Sequence, residues 1–354
     1  MSLPPLQLEC IRDYRKYADT VAILSAIYDL LRKHPKMGQF VGIERKLERK
    51  LERSDGYVTP DLIALYDTKG LIFELKWSLP RSLDLLEKEI KELKKYIGQF
   101  SNWTTPSGQV DHQDVVLVCH IDDVKRVVDT VSRISKQPDY DFLSSDGFAV
   151  WGWSIVAPKQ LERKEELRLS SEYGSTRNST IEEMIQEPGG ILISEDVLTY
   201  LRFRFFFIRQ KPPIQYTMTM LIQHVFIAFQ PGPEREFYEI DTDLIYERAA
   251  RIFFPSWHEY DADTVQLKRR WIREALGKFQ ELKLMERLNR PNLWRVPIPI
   301  LRSRQQTQIA LCRKIMNSIL KEIKRKGRIK VKPIRGRKRE RGPLDRFLQL
   351  ASSG

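Results

Sequence analysis

The chain of 354 residues is long enough for two or three domains with hydrophobic cores, and it is 42% hydrophobic and 30% charged, as in soluble globular proteins. No apolar stretch approaches the ~20 residues that span a bilayer, and the first residues lack the basic start and apolar core of a signal peptide. These features argue against an integral membrane protein and a disordered polymer. We therefore expect a cytoplasmic protein.

The net charge of +13 is concentrated at one end of the chain. Residues 301–354 contain 17 Lys and Arg against 3 Asp and Glu, a surplus that exceeds the charge of the whole chain. A segment with so many like charges and few apolar side chains does not fold alone, and it favours a polyanion. We expect nucleic acid as its partner, because phosphates release counterions when basic segments bind. A solvated tail without a partner is the alternative, and we expect no membrane partner.

Hydrophobic periodicity predicts a mixed α/β fold in residues 1–156. In chain order the pattern indicates a helix, a second and highly charged helix, a β-hairpin, an amphipathic helix that starts near Ser82, a short strand, a helix and a last strand. Their approximate ranges are 8–33, 40–53, 57–80, 82–100, 114–121, 124–134 and 147–156.

The rest of the chain divides into three predicted parts. The apolar pattern breaks off in "RLSSEYGSTRNSTIEEMIQEPGG", which favours a linker or a loop-rich connection over residues 157–212. Helices are predicted at 215–229, 241–253 and 263–283, followed by a hairpin around 289–292, and together they indicate a winged-helix-like domain over 213–300. Residues 301–354 form the basic C-terminal helix and tail.

The predicted hairpin carries charges where a buried strand should not. In "LIFELKW" Glu74 and Lys76 share one face of the second strand, because strand side chains alternate. If a four-residue turn at 67–70 joins the strands, Asp61 lies opposite Lys76, with Glu74 one diagonal step away. Two carboxylates and an ammonium on an apolar hairpin are costly unless an ion compensates them, and Mg²⁺ prefers such oxygen ligands.

These residues resemble the motif of the PD-(D/E)XK nuclease superfamily, with Pro60-Asp61 as "PD" and Glu74-Leu75-Lys76 as "(D/E)XK". The resemblance covers roughly residues 40–156 and implies a restriction-endonuclease-like mixed sheet flanked by helices. It further implies Asp61, Glu74 and the Leu75 carbonyl as ligands of Mg²⁺, for which Mn²⁺ would substitute, and Lys76 as the catalytic lysine. The alternative is a half-exposed edge hairpin with a Glu/Lys pair.

The family often adds an acidic residue from the helix before the hairpin, where this chain offers Glu44, Glu48 and Glu52. We favour Glu44 or Glu48 as a further catalytic residue, and each could instead be an ordinary surface glutamate. On the following helix, Lys94, Tyr96 and Gln99 are similar to polar residues that some members direct into the site.

The region 213–300 resembles winged-helix DNA-binding domains, with 263–283 as the recognition helix and 284–298 as the wing. We expect a group of basic side chains to contact DNA, on the helix for the major groove and on the wing for phosphates or the minor groove. The group comprises Lys268, Arg269, Arg270, Arg273, Arg290 and Arg295. A helical interaction domain with a solvated basic face is the alternative.

Other chemistries find little support. The cysteines Cys10, Cys119 and Cys312 are far apart and fit buried thiols, and the spacing of His112 and His120 matches no zinc motif. No Gly-rich phosphate loop or serine-hydrolase motif is present. We expect a Mg²⁺-dependent DNA endonuclease. A non-catalytic DNA-binding or regulatory protein with the same fold, and a nuclease for RNA or branched DNA, stay open, as do a homodimer, a protein partner and the biological pathway.

Overall fold

The computed structural model describes most of the chain up to residue 297. The described residues are 5–33, 40–43, 47–48, 57–97, 103–105, 107–144, 146–156, 166–187, 189–194, 197, 211–229, 236–253, 262–290, 292–297 and 317. Within them, no helix combines the length and apolarity that crossing a bilayer requires.

The chain forms two compact units. The sheet unit comprises Asp19–Arg209 together with His258–Tyr260. The helical unit comprises Met1–Ala18, Gln210–Trp257 and Asp261–Gly354. The helical unit is therefore discontinuous in sequence, because it includes the first residues of the chain.

The sheet unit is a mixed α/β structure, as predicted. Its strands are β1 (Phe40–Ile43), β2 (Leu47–Glu48), β3 (Tyr57–Val58), β4 (Leu62–Tyr66), β5 (Lys69–Lys76), β6 (Thr104–Thr105), β7 (Gly108–Gln109), β8 (His112–His120), β9 (Phe148–Val156), β10 (Glu166–Ser175) and β11 (Ile191–Ile193). Its helices are the end of α1 (Pro5–Lys33), α2 (Leu83–Lys91), which continues as a 3₁₀ turn over Glu92–Tyr96, α3 (Ile121–Ile134) and α4 (Ser179–Gln186), with a 3₁₀ segment at Pro138–Leu143.

Seven strands form one sheet in the order β1-β4-β5-β8-β9-β10-β11. Strands β5, β8 and β9 are parallel, and the pairs on both sides of them are antiparallel. The parallel strands need crossover helices, and α2 and α3 provide them. The apolar faces of α2 and α3 pack with strand residues such as Ile72, Leu117 and Cys119 in one core.

The predicted helix at 40–53 is wrong, because β1 and β2 lie in that range. Val41 and Ile43 are β-branched, and β1 pairs with β4 from Phe40↔Leu65 to Ile43↔Leu62. Pairing at the sheet edge therefore outweighs the helical periodicity of the charged residues that follow. The predicted helix at 8–33 is confirmed as α1.

The hairpin between β4 and β5 is confirmed, but its turn is tighter than predicted. Tyr66 pairs with Lys69, so the turn contains only Asp67 and Thr68. Asp67 has a φ of 49°, a conformation that tight hairpin turns require and that Asp tolerates. Lys69 and Gly70 therefore belong to β5, and the register differs by two residues from the predicted one.

The described part of the predicted linker, 157–212, contains regular structure. β10 pairs with β9 over most of its length, and β11 pairs with β10. In sequence, helix α4 lies between β10 and β11, and it is capped by the Asn178 side chain, which accepts a hydrogen bond from the Ile181 N–H. The composition of Ser, Thr and Gly misled the prediction, since β10 is largely exposed at alternate positions and needs few apolar residues.

Within the described residues, the helical unit contains the first part of α1, three further helical segments and a three-stranded sheet. Its elements are α5 (Ile214–Met220), which continues as a π turn over Leu221–Val225 and a 3₁₀ turn over Phe226–Phe229, β12 (Phe237–Asp241), α6 (Thr242–Phe253), α7 (Ala262–Glu281), β13 (Glu286–Arg287) and β14 (Leu293–Pro297). The strand order is β12-β14-β13. The predicted helices and hairpin are present, whereas β12 was not predicted. The basic tail lies outside the described residues, apart from Asn317.

Candidate active site

Predicted site residues meet where β4 begins and β5 ends. Asp61 immediately precedes β4, and its Oδ2 accepts a hydrogen bond of 2.7 Å from the Leu75 N–H. The Lys76 Nζ lies 3.2 Å from Oε1 of Glu74. The Asp61 carboxylate therefore lies at the peptide that joins Glu74 to Leu75. The Lys76 ammonium lies against the carboxylate of Glu74.

The observed register changes which of these residues oppose each other. The last paired position is Leu62↔Phe73, so the next step along the strands brings Asp61 opposite Glu74 rather than Lys76. The predicted pairing of Asp61 with Lys76 is wrong, because the turn is two residues shorter. A shift by an even number of residues keeps every side chain on its face, so the charges still share one side of the sheet.

Glu74 is buried and held on both of its oxygens. It is 7% exposed, Oε1 faces Lys76, and Oε2 accepts a hydrogen bond of 2.6 Å from the hydroxyl of Tyr96. Tyr96 is fully buried at the end of the 3₁₀ turn after α2, and its backbone carbonyl accepts a hydrogen bond from the Gln113 side chain. These contacts fix the Glu74 carboxylate in one orientation.

Lys76 is shared between two carboxylates. Besides Glu74, the Oε2 of Glu89 on α2 lies 3.0 Å from Nζ. Burial alone would lower the pKa of Lys76, but Glu74 and then Glu89 outweigh it and raise the pKa above its ordinary value. Lys76 is therefore an ammonium ion at neutral pH.

Sequence reasoning missed Glu89. The residue adjoins Ile90 and follows Leu86 by three positions, and both of these are buried beneath α2. Glu89 therefore lies at the border of the buried face, where a polar side chain can reach the end of a neighbouring strand. The signal was available, since a helix predicted from 82 to 100 already placed Glu89 beside that face.

The donor set around Asp61 and Glu74 fits a hard cation. Mg²⁺ usually takes one or two protein carboxylates and keeps waters for its other positions, and two carboxylates lie at this strand end. Among the described residues, no group of three or more His, Cys, Asp and Glu side chains is arranged as a metal site. The residues present therefore fit a cation that the protein holds with two carboxylates, whereas a closed protein cage is not found in these ranges.

The other predicted site residues lie elsewhere or outside the described residues. Glu44, Glu52 and Gln99 are outside them, and Glu48 lies in strand β2 rather than on a helix. Lys94 is directed away, because its Nζ lies 3.5 Å from Asp139 Oδ1 and over the ring of Tyr140. His120 caps α3 by accepting the Asp122 N–H at Nδ1.

The proposed recognition helix, α7, presents part of the predicted basic group. Arg269, Arg270 and Arg273 are exposed, and the Arg269 guanidinium lies 5.3 Å from the ring centre of Tyr246. Lys268 is only 3% exposed, on the face that also buries Trp271. A side chain buried in the unit is not available to a DNA groove, so the prediction for Lys268 is not carried further.

The two arginines of the predicted wing differ. Arg290 is exposed between β13 and β14. Arg295 on β14 lies between two glutamates, each 3.3 Å away, which are Glu239 on β12 and Glu286 on β13. Its charge is compensated within the unit, and its role as a phosphate contact is not carried further either.

A second group of interacting polar side chains lies at the opposite end of the β5–β8 pair, around the carboxylate of Asp114. Asp114 is fully buried, accepts from the hydroxyl of Tyr66, and pairs with the Arg177 guanidinium at 2.7 Å. The Arg177 backbone N–H donates a further bond of 2.8 Å to Asp114 Oδ2. We call this set, Tyr66, Asp114 and Arg177, the buried clamp.

The described free cysteine, Cys119, is buried, and burial raises the pKa of its thiol to about 12, which is consistent with an inert core thiol.

Searches of family models, curated proteins and solved structures return no match to this chain.

Proposed function

We propose that this protein is a metal-dependent nuclease that hydrolyses phosphodiester bonds in DNA, with its site at the end of β5. The observation that carries the proposal is the meeting of Asp61, which accepts from the Leu75 N–H, with the Glu74–Lys76 ion pair at one end of the hairpin. The surrounding order of antiparallel hairpin, helix and parallel strand agrees with the restriction-endonuclease-like fold that the motif implies. Fold and motif therefore support the same class of protein.

The residues divide the chemical work. The carboxylates of Asp61 and Glu74, with the Leu75 carbonyl, would hold Mg²⁺, or Mn²⁺ in its place. The bound ion would supply Lewis-acid polarisation of the phosphate and neutralise charge in the transition state. Lys76, whose pKa Glu74 and Glu89 raise, would serve as a hydrogen-bond donor and a positive charge toward the attacking water and the phosphate oxygens.

The helical unit would bring the site to DNA. Its order of helix, strand, two helices and two further strands supports a winged-helix-like unit, in which α7 would enter the major groove. Arg269, Arg270 and Arg273 are exposed on that helix, and Arg290 is exposed on the wing. The basic tail, 301–354, would add contacts to phosphates that do not depend on sequence.

A cleavage assay tests the catalytic proposal. Linear, supercoiled, branched and single-stranded DNA and a matched RNA are incubated with the full chain, with and without Mg²⁺. We expect Mg²⁺-dependent cleavage of DNA by the wild type, and DNA binding without cleavage by Asp61→Ala and Lys76→Ala. Asp139→Ala serves as the matched control, because Asp139 is an exposed aspartate whose ion-pair partner, Lys94, is directed away from the site.

Three results would contradict the proposal. Wild-type cleavage by Asp61→Ala or Lys76→Ala would show that the activity comes from another site or a contaminant. Binding without any cleavage by the wild type would favour a regulatory DNA-binding protein. Cleavage of RNA alone would assign the site to another nucleic acid.

Binding titrations across a salt series test the division between α7 and the tail. Truncation after Ser303 should weaken binding to all duplexes and flatten the salt dependence, since log K falls by about 0.9 per phosphate neutralised. Arg269→Ala or Arg273→Ala should chiefly reduce discrimination between duplexes, by roughly 1–3 kcal/mol for a lost arginine–guanine pair. A truncation that removes preference but leaves the salt dependence unchanged would reverse these assignments.

A further inference from the structure

Helix α2 places a third carboxylate against the lysine of the proposed site. Glu89 Oε2 lies 3.0 Å from Lys76 Nζ, slightly closer than the 3.2 Å between Nζ and Glu74 Oε1. The two carboxylates approach the ammonium from different elements, Glu74 from β5 and Glu89 from the crossover helix. Lys76 is therefore anchored twice.

The two anchors are not equivalent. Glu74 is also bound by the Tyr96 hydroxyl and, in the proposed function, would share its charge with a cation. A cation at Glu74 draws on the same carboxylate charge that attracts Lys76, so this anchor weakens when the site is loaded. Glu89 is not part of the Asp61 and Glu74 pair, and it keeps its full charge for Lys76.

Glu89 is also held in place by the packing of its helix. Its neighbours Leu86 and Ile90 are at most 1% exposed, so α2 is packed in the core beside the strand that carries Lys76. Glu89 itself is partly exposed, with 36% of its side chain accessible. A partly exposed ion pair contributes little to stability, which makes a purely structural role for this contact small.

We propose that Glu89 is the positioning residue of the site: it holds the Lys76 ammonium toward the reacting phosphate when Glu74 is engaged by the cation. This proposal rests on the proposed function, because it assigns a role within the same reaction. Glu89 acts through Lys76 and does not itself touch the substrate.

The first test separates kcat from KM in the full chain. Glu89→Gln keeps the size of the side chain and removes its charge, so we expect kcat to fall by roughly 10- to 100-fold, as for other residues that orient a metal-site group. KM for DNA and the Mg²⁺ dependence should stay within about twofold of wild type, because the cation ligands are intact. Glu89→Asp, which restores the charge, should recover part of the loss, and Glu92→Gln, an exposed glutamate three positions further on, should behave as wild type.

The second test does not depend on cleavage. An ammonium held by two carboxylates exchanges its protons slowly, so Lys76 should give a ¹H–¹⁵N signal of its Nζ group in NMR spectra, assigned by its loss in Lys76→Arg. We expect this signal to broaden or disappear in Glu89→Gln and to persist in Glu92→Gln. A signal that is unchanged in Glu89→Gln would show that Glu89 does not hold Lys76, and it would overturn the proposal.

The outcomes distinguish this inference from the proposed function. If the wild type cuts DNA, Asp61→Ala does not, and Glu89→Gln keeps the wild-type kcat, the inference fails and the nuclease stands. If the wild type cuts no substrate, the proposed function fails and the positioning role fails with it. A selective loss of kcat together with the loss of the Lys76 signal supports both.

Discussion

The β5–β8 strand pair carries a buried carboxylate at each end, and the two are treated differently by the fold. Asp114 in the buried clamp is fully enclosed and is bound by a hydroxyl, a backbone N–H and a guanidinium. Glu74 is nearly as buried, but its cationic partner, Lys76, is shared with a second and partly exposed carboxylate, Glu89. In the clamp one carboxylate collects three donors, whereas at the other end two carboxylates share one cation.

The difference indicates what each cluster is for. Removing one partner of a buried ion pair leaves an uncompensated charge, so we expect changes in the clamp to act on stability. Carboxylates and an ammonium that meet at the accessible end of parallel strands retain capacity for an outside ligand, which is where α/β sheets commonly bind their substrates. Variants of the two clusters should therefore separate stability from activity.

The largest effect should come from Glu74→Gln. The amide can still accept the Tyr96 hydroxyl, but it is a poor cation ligand and no longer attracts Lys76. We expect cleavage to fall at least about 10³-fold, which corresponds to about 4 kcal/mol in activation free energy. The loss in the free energy of unfolding should be smaller than that of Asp114→Asn, because Lys76 keeps Glu89 as a counter-charge. Single-turnover cleavage and urea denaturation measure the two quantities. Normal cleavage by this variant would show that the Glu74 end of the strand pair is not the catalytic site.

The next largest effect should be on the free energy of unfolding rather than on cleavage. Asp114→Asn leaves the Arg177 guanidinium without its counter-charge inside the sheet unit, and we expect a loss of about 3 kcal/mol in the free energy of unfolding. This is the low end for a broken buried pair, because the Arg177 side chain is 29% exposed. Native-state hydrogen exchange of the β8 amides measures the loss for this unit alone. At low temperature, where the variant stays folded, kcat should remain within a few-fold of wild type.

A smaller loss in the free energy of unfolding is expected when a methyl group is added next to the buried clamp. Gly147 has a φ of 103°, and a Cβ at this position would lie 2.6 Å from Asp114 Oδ1 and would also meet the Arg177 guanidinium. Gly147→Ala should cost about 1–3 kcal/mol, and less than that when Asp114→Asn is already present, because both changes disturb the same contacts.

Gly277→Ala is the control for this experiment. Gly277 lies within helix α7, and its Cβ would meet nothing within 4 Å, so the same change should be neutral or stabilising. Strictly additive losses for Gly147→Ala and Asp114→Asn would show that the glycine acts independently of the clamp.

The smallest effect concerns a surface pair. Lys94 pairs with Asp139 at 3.5 Å, and both side chains are more than half exposed. Lys94→Ala should change the free energy of unfolding by less than about 1 kcal/mol and leave kcat within twofold of wild type. A large loss of cleavage would show that Lys94 acts in the site, although its side chain is directed away from it.

Local patterns predicted the faces of the hairpin but not its register. Alternation along β5 places Glu74 and Lys76 together whatever the turn, since a register change of two residues preserves the faces. The pairing of Asp61 depended on Asp67, whose left-handed conformation closes the turn in two residues. Periodicity carries no information on that conformation, and so it could not choose between a turn of two and a turn of four.

The remaining errors have different physical origins. The charges after Ile43 have helical spacing, but Phe40–Ile43 pair with β4 and Leu47–Glu48 pair with β3, and no local signal reports such pairing. The partners of Arg295 could not be predicted without β12, because Glu239 faces it from that strand. Lys268, by contrast, was predictable: it precedes the buried Trp271 and Ile272 by three and four positions, which puts it on their face of α7.

The discontinuity of the helical unit has a consequence during synthesis. The sheet unit is almost one stretch of chain, so it can fold as soon as residue 209 has left the ribosome. The helical unit cannot be completed then, because Tyr14 and Tyr17 at the start of the chain pack on Tyr216, whose ring centre lies 5.4 Å and 4.7 Å from theirs. Tyr14 and Tyr17 are made before the sheet unit but reach their partner after it, and a fragment that begins at Gln210 would lack them.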